Sequence, residues 1–86
     1  MFNVGSYVFH TLNDLRYVHR IVGEDTTHYD VQVPLFTCWG STFARWSPVK
    51  QISKKYLDKK SSLMDAETSA LYANIKKGDS TSVLFQ

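Results

Sequence analysis

Three histidines, His10, His19 and His28, stand nine residues apart from one to the next. In a meander of short strands that spacing can gather imidazoles, and with Cys38 or Asp30 they would make a donor set suited to zinc. The residue pattern argues against a common focus. His28 falls on the polar side of its strand and His19 beside Tyr17 and Ile21, so ordinary surface or core histidines are expected and no bound metal. A nucleophile could be assembled from Cys38 and a histidine, or from a serine, a histidine and an aspartate, but no nucleophile elbow or glycine-rich phosphate loop accompanies them. The expectation is a protein that is not an enzyme, without catalytic residues or cofactor, in which Cys38 is a small buried apolar residue.

Two other constellations could bind a macromolecule. Lys50, Lys54, Lys55, Lys59 and Lys60, near Arg45 and Trp46, offer phosphate contacts beside a stacking ring, as in binders of single-stranded nucleic acid. The bland counterpart is a solvated lysine face, and lysines without arginines read bases poorly. Upstream, FTCWGSTFARW carries Phe36, Trp39, Phe43 and Trp46 within eleven residues. Large rings next to an arginine have the composition of an interface centre, which makes Phe36, Trp39, Phe43 and Arg45 the candidate protein contacts. The competing expectation buries Phe43 and Trp46 and leaves only Trp39 exposed.

The elements that must position these residues are mostly strands. From Thr27 onward Tyr29, Val31, Val33 and Leu35 alternate with His28, Asp30 and Gln32, the period of a strand with one buried face. A second β-rich run, Tyr17 to Val22, precedes it, and Gly23, Glu24, Asp25 and Thr26 supply a turn, so a hairpin is expected. In that earlier run Tyr17, His19 and Ile21 share one face and Val18, Arg20 and Val22 the other. Either both faces are partly covered or a bulge shifts the register between Tyr17 and Ile21. Val4 to Thr11 reads as the first strand, with a turn at Leu12 to Asp14. Pro34 ends the third or holds it to an edge, a fourth covers Thr42 to Trp46, and Val49 to Ile52 is a short fifth.

SKKYLDKK then reads as one helical turn dropping Tyr56 or Leu57 onto the open end of the sheet. A helix over about 62–77 follows, started by a capping box of Ser62 and Asp65. Its apolar stripe is Met64, Thr68, Leu71 and Ile75, Lys76 and Lys77 complement its negative end, and Gly78 stops it. The final VLFQ is similar to what a picornaviral protease leaves at its engineered site, although Ser82 stands where that site has an acid. A cloning remnant and a native apolar tail both remain open, and residues 80–86 are set apart from the single domain over 1–79.

With 86 residues, 43% of them hydrophobic and 14% aromatic, the chain suits one small globular domain. A lone cysteine excludes an internal disulfide. No apolar stretch is long enough for a membrane span and no signal peptide is evident, so a cytoplasmic setting without membrane association is expected. The net charge of +2 is unevenly spread, because Arg45, Lys50, Lys54, Lys55, Lys59 and Lys60 face only Asp58 within residues 45–60.

Five short strands followed by a helical turn suggest a small, bent antiparallel barrel. VGSYV (Val4 to Val8), YVHRI (Tyr17 to Ile21), YDVQV (Tyr29 to Val33) and VKQISKKYL (Val49 to Leu57) resemble, in order and spacing, the strands of Tudor-like small barrels. The resemblance spans about the first 57 residues. It implies binding, either of methylated side chains in an aromatic cage or of peptides and nucleic acids, although the turn Leu12 to Asp14 has no aromatic residue for a cage wall. The expectation is thus a mainly β, five-stranded bent antiparallel barrel with one C-terminal α-helix, serving as a protein-binding module for another protein or for itself. Size and simplicity suggest a stand-alone accessory or inhibitor protein of the kind phages direct at host machinery. The runner-up is a nucleic-acid-binding barrel using Lys50, Lys54, Lys55, Lys59, Lys60 and Trp46.

Overall fold

The computed structural model describes residues 1–37 and 42–80. Strands β1 (Tyr7–Leu12) and β2 (Leu15–Glu24) form a hairpin. Asn13 and Asp14 join them with φ of 52° and 65°. Short polar side chains tolerate this left-handed backbone, and two in succession give the tight turn whose twist suits a hairpin. The pairing then runs without a break from Leu12 opposite Leu15 to Tyr7 opposite Arg20.

Strand β3 (His28–Gln32) returns against β2. The turn before it is built by Asp25, whose carboxylate accepts from the N–H groups of Thr27 at 2.8 Å and His28 at 2.6 Å. Those two bonds, Thr27's first, hold the carboxyl below its ordinary range. The register shifts between Ile21 and Gly23, so the bulge follows Ile21 and does not precede it as the sequence suggested. A Cβ at Gly23 would come 2.8 Å from Asp30 Oδ2, which explains glycine there. Both faces of β2 are also partly covered: His19 and Ile21 are buried on one, Val18 and Arg20 half-buried on the other.

Strand β4 (Pro34–Phe36) leaves this sheet and pairs with β5 (Phe43–Trp46) as a separate two-stranded ribbon. Ser47 ties the ribbon back: its N–H donates to Val33 O at 2.8 Å, and its Oγ accepts from Val33 N at 2.9 Å. Strand β6 (Lys50–Ser53) pairs with β3, helix α1 (Lys54–Lys60) carries the chain across, and β7 (Ser61–Leu63) pairs with β1. The main sheet is antiparallel, in the order β6-β3-β2-β1-β7.

A mainly β fold whose main sheet has five antiparallel strands is thus present, with two further strands in the ribbon and two helices where one was expected, but no closed barrel is found among the described residues. Two features account for the difference. Pro34 takes its segment out of the sheet into the ribbon, and the edge strands β6 and β7 are bridged by α1 instead of pairing with each other.

Alternation along the strands drives Val8, Ile21, Tyr29 and Val31 into a fully buried cluster closed by Leu57 of α1, with Phe2 and Ile52 against it. Leu57 is the residue that plugs the sheet, while Tyr56 stays 40% exposed. Tyr29 Oη donates to Asp58 Oδ1 at 2.7 Å and accepts from Phe2 N at 2.9 Å, so the buried hydroxyl is satisfied. A second cluster forms around Met64 and Tyr72, flanked by Tyr7, Phe9, Val18, Phe36, Trp46 and Ile75.

Helix α2 (Ala66–Asn74) is shorter than the expected 62–77. Asp65 caps it, accepting from Thr68 N at 2.9 Å, whereas Ser62 is spent pairing with Phe9 in β7. Tyr72 is the helix's buried residue and Leu71 is 39% exposed, which corrects the expected stripe. Past the helix, Gly78 N donates to Phe43 O and Phe43 N to Asp79 O, at 2.8 and 2.9 Å, and Ser80 bridges Thr42. Among the described residues no helix is long and apolar enough to cross a membrane.

Candidate functional site

The site arises where two paired strands differ in length. Strand β3 stops pairing at Gln32, opposite Arg20, while β2 reaches back to Leu15. Along a strand the backbone N–H and C=O of successive residues point to opposite sides. Ile21 N donates to Ser6 O at 2.9 Å and Ile21 O accepts from Gly5 N at 2.8 Å, on the β1 side. The register from Arg20 to Leu15 is unbroken, so the backbone groups of Val18 and Arg16 face the side that β3 has vacated. No strand among the described residues pairs with them there.

That gap is a cleft of about 570 Å³, within the roughly 300–1,000 Å³ usual for ligand sites. Arg16, Tyr17, Val18 and His19 form the β2 wall; Val33, Pro34 and Phe36 lie across from them with Lys50 and Ile52 of β6; Phe9 and Tyr72 also line it. The surface is largely apolar, with positive charge from Arg16 and Lys50 and no carboxylate among the described lining residues. Arg16 lies over the Phe9 ring, 4.5 Å from its centroid.

One end of the cleft carries an imidazole pair. His10 and His19 have ring centroids 5.3 Å apart, and His10 Nε2 lies 3.2 Å from Tyr56 Oη. His19 is 4% exposed, and its buried Nδ1 has no hydrogen-bond partner. Burial, then the charge of Lys50, then His10 push the His19 pKa down to about 4. Burial also lowers His10, followed by Lys50 and Lys60. Both rings are therefore neutral at pH 7. His28 sits apart in the Asp25 turn, its Nδ1 2.7 Å from Thr27 Oγ1. Two of the three histidines converge, then, and no group of three or more metal-ligating side chains does among the described residues.

The aromatic candidates separate. Phe36 lines the cleft. Phe43 is 4% exposed, with ring centroids of Phe36 and Trp46 at 6.1 and 5.9 Å. Arg45 is exposed on the ribbon opposite Leu35, and Trp39, like Cys38, lies outside the described residues. The lysines divide as well. Lys50 lines the cleft, Lys54 pairs with Glu24 at 3.4 Å, and Lys55, Lys59 and Lys60 are exposed on α1. Trp46 is held in the second cluster with Arg20 4.2 Å above its ring, a poor position for stacking a base.

Sequence reasoning missed Phe9, Arg16, Tyr17, Val18 and Tyr72 as site residues. The available signal was Pro34, which marks where β3's partner edge is abandoned. Comparison with protein-family models, curated proteins and solved structures finds no match for the chain.

Proposed function

We propose that this chain is a non-enzymatic protein-binding module whose contact surface is the cleft between β2 and β4. The observation that supports it most is the gap itself: apolar walls beside a stretch of β2 whose backbone has no strand partner on that side. A partner's side chains would bury apolar area against Phe36, Val18 and Tyr17, and Tyr17, 43% exposed, would act as an aromatic anchor. The second reading, nucleic acid on α1, is supported by the exposure of Lys55, Lys59 and Lys60.

Selection of a displayed random heptapeptide library on the purified chain separates the two. Enriched peptides should perturb the amide resonances of Tyr17, Val18 and Phe36. Tyr17→Ala should weaken them about tenfold, in the range of an interface anchor, while joint replacement of Lys55, Lys59 and Lys60 by Gln leaves them within about twofold. Absence of any enrichment, or peptide shifts confined to α1, would overturn the proposal.

A further inference from the structure

Taking that protein-binding role as its premise, we infer that the cleft accepts an extended segment of its partner as an added strand on β2, with an acidic group of that segment seated toward Lys50 and His19. An exposed strand edge is a template for main-chain hydrogen bonds, which supply affinity, while flanking pockets read alternate side chains. The edge here lies within the sheet. It is bounded on one side by Gln32, where β3 ends, and on the other by the hairpin turn at Asn13 and Asp14. The stretch from Leu15 to His19 leaves room for about five residues of an incoming strand, or roughly 17 Å at the usual rise.

Charge selects the occupant. Arg16 and Lys50 are the cations of the cleft, and no carboxylate lines it among the described residues. Lys50 and His19 line the same cleft, so the neutral His19 ring can present a hydrogen-bonding nitrogen on a wall that also carries a fixed positive charge. Its Nδ1 is buried and unpartnered in a side chain that is 4% exposed, a state that costs free energy until a partner arrives. A monoanion such as an aspartate, a glutamate or a C-terminal carboxylate pairs with Lys50 and, with His19 in its Nδ1–H tautomer, is an acceptor for that ring. Two cations among apolar walls do not form the continuous track that a nucleic-acid backbone requires.

The test uses the highest-affinity synthetic heptapeptide from the display selection, in three versions: unchanged, with its acidic group replaced by the amide, and with alternate backbone nitrogens methylated. Binding of the unchanged peptide should slow hydrogen exchange at the Arg16 and Val18 amides at least tenfold and give cross-strand contacts to both residues. Methylation of the nitrogens facing β2 should weaken binding at least tenfold. The amide should bind several-fold less well, and Lys50→Met should erase the difference between acid and amide. Equal binding of the methylated peptide would sink the strand-addition inference while leaving protein binding intact. Equal binding of acid and amide would remove the acidic group from it. Failure to enrich any peptide would instead remove the protein-binding premise.

Discussion

A buried histidine that stays neutral makes stability depend on acid. His19 has a pKa of about 4 in the folded chain against an ordinary 6.5. Between those values the unfolded chain takes up a proton that the native one refuses. The sign follows directly: this contribution is complete above pH 6.5 and is lost as the pH falls from 6.5 toward 4. The loss is at most about 3 kcal/mol, and His10, also lowered, adds in the same direction. The groups that face the pair are Lys50, Lys60, Tyr17 and Tyr56, of which the two lysines oppose a further positive charge. Asp25 and Asp65 are lowered carboxyls and act only further into acid. Urea unfolding at pH 7.5 and 4.5 should show a clear fall for the wild type and a smaller one for His19→Leu, which keeps the volume without the titration. Parallel pH dependences would mean that His19 is not the group responsible.

The start of α2 is decided by which residue is left free to cap it. Ser62 cannot, because β1 holds it in register opposite Phe9, and the Asp65 side chain takes Thr68 N and Thr68 Oγ1, each at 2.9 Å. Asp65→Ala should therefore cost about 1 kcal/mol, the usual value of an N-cap. Ser62→Ala should cost under about 0.5 kcal/mol, as at an exposed position with no special role. Urea midpoints at unchanged slope measure both, and equal costs would contradict the assigned cap. The same contrast shows what can be read from residue order. Turns at Asn13–Asp14 and Asp25 were legible because their chemistry is local, and β3 because its alternation is strict. The helix starts at Ala66 and not at Ser62 because a strand pairing that is invisible locally consumes Ser62. The burial of Tyr72 is not legible locally because it comes from Tyr7 and Trp46, both distant in sequence. The cleft was the least legible feature. It depends on where one strand stops relative to its neighbour, which the composition of neither strand reveals.

The molecule as a whole is two apolar clusters of unequal quality sharing one sheet. Val8, Ile21, Tyr29 and Val31 on its central strands and Leu57 of α1 are all 0% exposed. Around Met64 and Tyr72, by contrast, the flanking residues are only partly buried. The ribbon in this second cluster is held by Ser47 and by the backbone of Gly78 and Asp79. Fewer fully buried contacts mean a lower free energy of local opening. The amides of Arg20 and Ile21 should then exchange only through global unfolding, while those of Phe43 and Gly78 exchange at least tenfold faster, through an opening about 1.4 kcal/mol or more cheaper, with a weaker dependence on denaturant. A single common exchange isotherm would show one cooperative unit instead. Because the cleft is lined by Ile52, which packs against the first cluster, and by Val18, Phe36 and Tyr72 of the second, a segment bound there joins the two. An enriched heptapeptide should therefore slow exchange at Phe43 as well as at Val18. Protection limited to Val18 would mean that the segment rests on the sheet without engaging the ribbon.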